Sequence, residues 1–323
     1  MQYRTDTFLS ERSWSILYKK GSLFQKILAV LTGFIKRFYI VLFIAPEFNF
    51  IVVHREAAPI GPPVFEWILA RLFRKKLIFD FDDAIWIPNI TESNKIASTL
   101  KWYSKIKHIC SWSYKISAGN QFLAEFAAKF NNHVQIVPTC VNTESRYNRI
   151  KDQRSLRTVI GWTGSHSTLH YLDRIVPVLK RLELEYDFDV LIICDKQPQF
   201  QLKNLQFIFW NEKTEIDDLL KMNIGIMPLE QDAWSEGKCG FKIIQYLSLG
   251  IPAVASPVGV NKQIIDNEMN GYLCETEEQW YHSLSYLLSN EEQRSRLGKA
   301  GREKINAFYS IHSNADNFIS LFS

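Results

Sequence analysis

The sequence predicts an α/β protein with two domains, each built on a parallel sheet covered by helices on both faces. Strand-like apolar runs alternate with amphipathic segments along the whole chain, as is typical of parallel sheets. At 323 residues the chain is longer than one hydrophobic core usually supports. A polar stretch at 143–155 divides the alternation into two halves, and we interpret it as the interdomain linker.

The first half of the chain predicts four strands separated by helices. Each strand ends at polar side chains, and the carboxyl ends of strands are where open α/β sheets bind their ligands. The predicted strands are 50–54, 76–81, 114–118 and 134–138, and the predicted helices are 63–74, 94–107 and 121–130.

The second half repeats the pattern after the polar stretch. Gly250 ends one helix, and the apolar run that follows predicts a central parallel strand. The predicted strands are 158–162, 189–194, 206–210, 224–228 and 251–256, and the predicted helices are 167–186, 215–222, 240–249, 277–289, 291–308 and 313–321.

Composition and charge exclude some classes of protein. Hydrophobic residues make up 46% of the chain and charged residues 22%, which excludes a largely disordered protein. The formal net charge of +4 suits an anionic ligand or a membrane surface and does not indicate a nucleic-acid partner. The five cysteines lack CxxC spacing, so we predict reduced thiols in a cytoplasmic protein.

The segment 23–45 is strongly apolar and is interrupted by Lys36 and Arg37. A transmembrane helix would bury these two charges near its centre, so we predict an amphipathic helix with a basic stripe. Two interpretations stay open for this helix. It packs on a sheet of the protein, or it rests on an anionic lipid surface as a peripheral contact.

The stretch 236–261 predicts an anion-binding site, because a loop rich in glycine and lysine leads directly into a helix. Backbone N–H groups and the partial positive charge of a helix N-terminus attract anions, and Lys238 and Lys242 lie within reach. A pair of solvated lysines is the alternative. Gln245 falls off the apolar face of the helix and is expected to stay free for polar contact.

These residues resemble the motifs of GT-B glycosyltransferases, and most closely those of glycosyltransferase family 4, which uses nucleotide sugars with retention. The segment 238–261 resembles the family's donor-binding helix and the GxPVVAS run after it. Supporting motifs follow in the expected order: VHREAAPIGPP (53–63), FDFDDAIW (79–86), SAGNQFLAEF (117–126), VPTCVNT (137–143) and IGWTGSHSTLHYL (160–172).

The resemblance implies a GT-B fold, in which two Rossmann-like domains with parallel sheets face each other across a cleft. Residues 1–145 would form the acceptor-binding domain and residues 156–310 the domain that binds the nucleotide sugar. The helix 313–323 would return to the first domain. The family's first strand has no counterpart after Met1, so the N-terminal sheet is expected to lack it.

The resemblance also assigns a donor site. The helix start would neutralise the diphosphate, and the GWTGS turn would approach it with its N–H groups, although Ser165 could instead cap a helix. The predicted donor-binding residues are Gly161, Trp162, Thr163, Gly164, Ser165, Glu236, Lys238, Cys239, Gly240, Phe241, Lys242 and Gln245.

The family's E-x7-E signature is absent from this chain. Aligned on Gly250, its glutamates fall on Gly237 and Gln245, with Glu236 one residue early. The amide of Gln245 could still bond a ribose hydroxyl. A catalytically weak or inactive scaffold that binds nucleotide sugars is therefore the alternative to an active enzyme.

Polar residues at the strand ends of the first half predict the acceptor side. Asp82 and Asp83 could orient or deprotonate an acceptor hydroxyl, or one could cap a turn. With Lys242, which would stabilise the departing nucleoside diphosphate, they are the predicted catalytic residues. The predicted acceptor-binding residues are His54, Arg55, Glu56 and Asn120; an Arg55–Glu56 pair that pins the loop and a helix cap at Asn120 are the alternatives.

The predicted function is transfer of a sugar from a nucleotide-sugar donor to a saccharide or lipid-linked acceptor, in the enzyme class EC 2.4. The resemblance places it in surface polysaccharide or cell-wall synthesis, in the cytoplasm or at the inner face of the membrane. It implies no metal or other cofactor, and His166 and His170 lack a third ligand. No nucleic-acid partner is predicted.

Overall fold

The computed structural model describes residues 3–10, 13, 21, 23–88 and 100–323. The chain forms two compact units, unit 1 with Met1–Ile136 and Leu321–Ser323, and unit 2 with Val137–Ser320. Residues 94–99 of the predicted helix 94–107 lie outside the described residues, and the helix found in the described part is Lys105–Trp112.

Unit 1 contains a parallel sheet of four strands in the order β1-β2-β3-β4. Its fully buried centre is the run Leu77, Ile78 and Phe79. The elements in chain order are α1 (Leu23–Tyr39) with a π-helical turn (Ile40–Ile44) and a 3-10 turn (Ala45–Glu47), β1 (Phe50–His54), α2 (Val64–Trp67) with a π-helical turn (Ile68–Leu72), β2 (Lys76–Phe81), α3 (Lys105–Trp112), β3 (Lys115–Ala118), α4 (Gln121–Ala128) and β4 (Val134–Ile136).

The strand register of unit 1 brings polar residues together at the carboxyl edge of the sheet. His54 of β1 lies beside Asp80 of β2, and Asp80 lies beside Ser117 of β3. Because all four strands are parallel, the loops that follow them start at this same edge.

Unit 2 contains a parallel sheet of six strands in the order β10-β9-β8-β5-β6-β7. The elements in chain order are β5 (Thr158–Thr163), a 3-10 segment (Leu169–Arg174), α5 (Val176–Leu182), β6 (Phe188–Cys194), β7 (Leu205–Phe209), α6 (Glu215–Leu219), β8 (Ile224–Met227), α7 (Ala233–Glu236), α8 (Phe241–Ser248), β9 (Ala253–Ala255), α9 (Asn261–Ile264), β10 (Gly271–Leu273), α10 (Glu277–Ser289), α11 (Glu291–Phe308), α12 (Ile311–Ile319) and a 3-10 turn (Ser320–Phe322).

Helices cover both faces of this sheet, as predicted. Leu191 and Ile193 of β6 point into the core beneath α8, whereas Val190 and Ile192 point into the core beneath α5 and α10. Alternate residues of one strand therefore supply two cores, which explains the continuous apolar run of β6.

Several elements of unit 2 differ from the predictions, and the short helices α7 and α9 were not predicted. The predicted helix 167–186 is divided into a 3-10 segment and α5, because Pro177 in the first turn of α5 has no N–H with which to continue the helix. Strand β10 was not predicted, since its three residues are too few to show an apolar period.

The polar stretch 143–155 makes its contacts within unit 2. Tyr147 is buried in the core that contains α8. Gln153 is also buried and donates to the carbonyl of Gly250 at 3.2 Å. Arg302 of α11 donates to the carbonyl of Thr143 at 2.9 Å.

α8 and α11 approach each other closely at two glycines. A Cβ atom added to Gly298 would lie 2.0 Å from the carbonyl oxygen of Gly250. Gly250 itself has a φ of +69°, a left-handed conformation that favours glycine. The packing of these helices thus depends on the absence of a side chain at position 298.

The Gly298→Ala variant is expected to be less stable by about 1–3 kcal/mol, because the new methyl group collides with backbone that cannot rotate away. Helix propensity alone would favour alanine by about 1 kcal/mol, so the sign of the change is decisive. Equilibrium urea unfolding measures it, with Ser295→Ala on the exposed side of α11 as the control. Equal or higher stability of Gly298→Ala would contradict this packing.

Candidate functional site

Tyr246 of α8 binds the ends of two strands of unit 2. Its hydroxyl accepts a hydrogen bond from the backbone N–H of Thr163 at 3.0 Å and donates to the carbonyl of Ile226 at 3.4 Å. Burial raises the pKa of this hydroxyl, so it remains a protonated donor. The ring packs over Gly225, where a Cβ atom would lie 2.4 Å from it. These contacts hold α8 at the carboxyl edge of β5 and β8.

The turn after β5 is tied to the neighbouring strand β6. The N–H of Gly164 donates to the carbonyl of Ile193 at 3.0 Å. His166 binds Asp195 twice, through its backbone N–H at 2.6 Å and its Nδ1 at 2.7 Å. The conformation of this turn is therefore defined by contacts within unit 2.

Three residues of the predicted GWTGS turn lie inside the sheet. Gly161, Trp162 and Thr163 belong to β5 and are buried. A Cβ atom at Gly161 would lie 2.1 Å from the side chain of Met222, so this glycine is required by packing. Only Gly164 and Ser165 belong to the turn itself.

The start of α8 lies next to one residue of β5 and one that follows it. Lys242 has its ammonium 5.6 Å from the ring centre of Trp162. The ammonium of Lys238 is 5.8 Å from the rings of both Tyr171 and Trp234. The two segments predicted to bind the donor, far apart in sequence, are thus neighbours in unit 2.

The first turn of α8 is suited to binding an anion. Gly240 precedes the helix with a φ of +68°, and a Cβ atom there would lie 2.3 Å from Ile264. No acidic residue lies in the first turn, which begins with Phe241 and Lys242. Backbone N–H groups and lysine ammonium groups at a helix start are suited to phosphate oxygens. Cys239 beside them is buried.

Gln245 is not free for polar contact, contrary to the prediction. It is 3% exposed, and its amide nitrogen donates to the hydroxyl of Tyr147 at 2.8 Å and to the carboxylate of Glu215 at 3.2 Å. The same carboxylate accepts from Arg146 at 2.7 Å and from the indole of Trp210 at 3.1 Å. We call Tyr147, Glu215, Trp210 and Gln245, with Arg146, the Glu215 cluster.

The sequence does not predict the Glu215 cluster, because its members come from separate segments of the chain. Glu215 and Gln245 are 30 residues apart, and Tyr147 and Gln245 are 98 apart. Burial raises the pKa of Tyr147 to about 12, so its hydroxyl is neutral at physiological pH. The hydrogen bond to Glu215 raises the pKa of Arg146.

Glu236 ends α7 and is half-buried. Its carboxylate accepts a hydrogen bond from the side chain of Gln231 at 3.2 Å. The backbone of Glu236 lies against Gly259, where a Cβ atom would be 2.9 Å from the Glu236 carbonyl oxygen. The residue is thus held at the same edge of the sheet as the start of α8.

The predicted acceptor residues of unit 1 form an ionic cluster at the carboxyl edge of its sheet. His54 Nδ1 lies 2.7 Å from Asp80 Oδ2. Arg55, which has a φ of +60°, binds Asp82 through Nε and Asp83 through Nη2, each at 2.7 Å. The structure therefore brings His54, Arg55, Asp82 and Asp83 together as sequence analysis predicted for one side of a site.

The pKa values of His54 and Asp82 in this cluster are shifted in opposite directions. The hydrogen bond to Asp80 raises the pKa of His54. Burial acts to raise the pKa of Asp82, but the bonds and charge of Arg55 outweigh it, and the net pKa lies below its usual range. An ionised carboxylate with a lowered pKa is a poor proton acceptor.

Glu56 and Asn120 are held by their own partners. Glu56 pairs with Lys105 at 2.7 Å and with Lys101 at 3.3 Å. The buried Lys105 also donates to the carbonyl of Ala58 at 2.8 Å, which anchors the loop after β1. Asn120 caps α4, since its side-chain oxygen accepts from the N–H of Leu123 at 2.9 Å.

Among the described residues, no three His, Cys, Asp or Glu side chains are grouped so that they could hold a metal ion. His166 pairs with Asp195, and His170 packs on the ring of Tyr171. The two histidines therefore have separate surroundings.

The chain is similar in fold to solved structures of glycosyltransferases. The chain aligns with sucrose-phosphate synthase from Thermosynechococcus elongatus at a TM-score of 0.68 and 12% identity, covering 92% of this chain and 78% of that one. It aligns with HepE of Anabaena in complex with UDP and glucose at 0.66 and 13% identity, covering 94% and 83%. A glycosyltransferase from Rickettsia africae aligns at 0.65 and 15% identity, covering 90% and 82%. The class of fold is GT-B.

Sequence comparison finds similarity to one family in the second half of the chain. Residues 172–304 match the family Glycosyl transferases group 1. Spore coat protein SA of Bacillus subtilis is 30% identical over 79 residues, which are 24% of this chain and 21% of that protein. The chain thus spans about a fifth of the length of that curated relative. Within this chain, residues 172–304 are therefore similar to group 1 glycosyltransferases.

Restoring the family's glutamate at position 245 is expected to destabilise this protein. In Gln245→Glu a second buried carboxylate would face that of Glu215. In the present chain the amide nitrogen of Gln245 lies 3.2 Å from the Glu215 carboxylate. One carboxyl would have to keep its proton, at a cost of about 2–4 kcal/mol at pH 8 that shrinks as the pH falls towards 5. Thermal unfolding at the two pH values measures this cost.

The double variant Gln245→Glu/Glu215→Gln is the matched control, because it exchanges the two groups and restores one charge. We expect it to recover most of the lost stability at pH 8. If Gln245→Glu alone were as stable as the wild type at pH 8, the contact between residues 215 and 245 would be disproved.

Proposed function

We propose that this protein transfers a sugar from a nucleotide-sugar donor, bound at the carboxyl edge of the sheet of unit 2, to a saccharide or lipid-linked acceptor. One observation carries the proposal: Lys238 and Lys242, at the start of α8, lie against aromatic residues that follow or end β5. Two cations and a helix start at one edge suit a diphosphate. The solved HepE structures contain UDP and UDP-glucose, which supports a donor of this kind.

Lys242 is the proposed catalytic group of unit 2. As the bond between the sugar and the diphosphate breaks, negative charge grows on the leaving phosphate oxygens. An ammonium and the N–H groups of the first turn of α8, fixed in place beforehand, stabilise that charge more in the transition state than in the bound donor. This scheme needs no metal, because the lysines and the helix start supply the positive charge. Membership of family 4 and retention of configuration are inferred from the order of the motifs.

Glu215 places a carboxylate beside position 245, where the family signature has a glutamate. The amide nitrogen of Gln245 binds this carboxylate and Tyr147, so the negative group that the missing signature residue would have supplied is present next to it. The altered signature is therefore compatible with an active enzyme.

On the acceptor side, His54 is the proposed contact for the acceptor hydroxyl. Its side chain is 57% exposed, and Asp80 orients its ring. Asp82 and Asp83 act through Arg55, whose guanidinium they hold with two hydrogen bonds. The acceptor would thus meet a histidine and an arginine arranged by three aspartates.

The proposed setting is surface polysaccharide or cell-wall synthesis, in the cytoplasm at the inner face of the membrane. The name of the curated relative, a spore coat protein, supports a role in making surface material. A lipid-linked acceptor would be available at that face.

An inactive scaffold that binds nucleotide sugars is the second candidate function. The absence of the E-x7-E signature favours it. It predicts binding of UDP-glucose without release of UDP, with or without an acceptor, whereas the enzyme releases UDP.

Replacing Lys242 by alanine tests the proposed donor site. We expect the rate of UDP release from UDP-glucose to fall about 100-fold or more, since one preorganised charge at a transition state is worth about that much. Calorimetric titration with UDP should show affinity reduced about tenfold, which corresponds to about 1.4 kcal/mol. Lys262→Ala, an exposed lysine of α9, is the matched control. Unchanged UDP affinity and rate in Lys242→Ala would refute the assignment.

A further inference from the structure

The helical stretch that contains α1 has an unusual composition. From Arg12 to Pro46 the sequence contains six basic residues and no acidic one. The stretch Leu23–Glu47 is 25 residues long, with a mean hydropathy of 2.1, and is long and apolar enough to cross a membrane. Only 17% of its most apolar window is buried in the protein. Most of this apolar surface is therefore exposed to solvent in the part of the chain that the structure describes.

One narrow side of α1 packs on unit 1. At Gly33 a Cβ atom would lie 2.7 Å from the ring of Phe8, so the helix and residue 8 are in close contact. The rings of Phe34 and Phe38 lie 6.0 and 4.7 Å from that of Phe65 in α2. These contacts attach the helix to unit 1 over residues 33–38.

The opposite side of the helix is apolar and exposed. Phe24, Leu28, Leu31, Ile35 and Leu42 follow one another at helical spacing, and each is between 40% and 76% exposed. We call these five residues the apolar face. A row of large apolar side chains of this length in water is unusual for a soluble protein and marks an interaction surface.

The charges of the helix lie beside the apolar face and not within it. Lys36 donates to the carbonyl of Thr7 at 2.8 Å. Arg37 is on the packed side, where burial lowers its pKa against the opposing influence of Asp6 and Glu66. A bilayer-spanning helix would carry Arg37, Asp6 and Glu66 into hydrocarbon together, which is strongly unfavourable.

A basic run lies at the carboxyl end of the helical stretch. Lys75 donates to the carbonyl of Pro46 at 2.6 Å, which places the run 71–76 beside that end. Within it, Arg71 and Arg74 are exposed. The apolar face is thus next to exposed positive charge.

We propose that the apolar face of α1 inserts into one leaflet of a membrane with anionic lipids, with the helix axis in the plane of the membrane. The apolar side chains enter the boundary of the hydrocarbon, and Arg71 and Arg74 meet lipid phosphates. A second copy of the chain would cover the apolar side chains but would bring two basic runs together without counter-charge. Binding in this orientation would bring unit 1 to a lipid-linked acceptor and so deepens the proposed function. Only this role in reaching the acceptor rests on the proposed function; the membrane contact itself does not.

Vesicle sedimentation of the full chain tests the proposal. We expect binding to vesicles of phosphatidylcholine with 30% phosphatidylglycerol to exceed binding to pure phosphatidylcholine at least tenfold, because basic residues near an anionic surface are attracted to it. The variant Leu31→Glu/Ile35→Glu should lose at least tenfold in binding to the anionic vesicles. Leu184→Glu, at an exposed apolar site of unit 2, should bind like the wild type.

The basic run is tested separately with Arg71→Gln/Arg74→Gln, which should weaken binding to anionic vesicles and leave weak binding to neutral ones unchanged. Equal binding of wild type and Leu31→Glu/Ile35→Glu would overturn the proposal. So would a wild-type dimer in light scattering that this variant dissociates, without vesicle binding, or resistance of the bound wild type to extraction with alkaline carbonate, which would indicate a spanning helix. Calorimetric UDP binding by each variant separates failure of this surface from failure of the donor site.

Discussion

The hydroxyl of Tyr246 is the contact on which the arrangement of unit 2 depends. It joins α8 to the ends of β5 and β8, which are neighbours in the sheet, through one accepted and one donated hydrogen bond. The ring can reach this position because Gly225 leaves space beneath it. Parallel strands bring their following loops to one edge, but this contact also sets where α8 begins relative to the turn after β5. The two lysines owe their neighbours Trp162 and Tyr171 to that placement.

The two units use charge in opposite ways. In unit 1, Arg55 is balanced by two aspartates and Lys105 by Glu56, so the loops after the strands are stiffened by internal ion pairs. In unit 2, the first turn of α8 combines lysine with N–H groups and contains no acidic residue.

Much of the fold could be predicted from sequence, because periodicity and caps are local properties. The bounds of α10 and α11 were predicted correctly, and each has a polar cap at its start. The surroundings of the site residues were harder to predict. Gly161 looked like part of a phosphate loop, but Met222 requires a glycine there. Gln245 looked free, but its partners Glu215 and Tyr147 come from distant segments, and no local pattern shows which buried polar groups will meet.

We propose that the turn after β5 and the start of α8 together hold the donor's diphosphate. Hydrogen–deuterium exchange of the full chain, with and without saturating UDP, tests this proposal. We expect slower exchange in the amides of 164–168 and 237–242, and no change around His54 in unit 1. Slower exchange confined to other segments of unit 2, or none in these two, would contradict it.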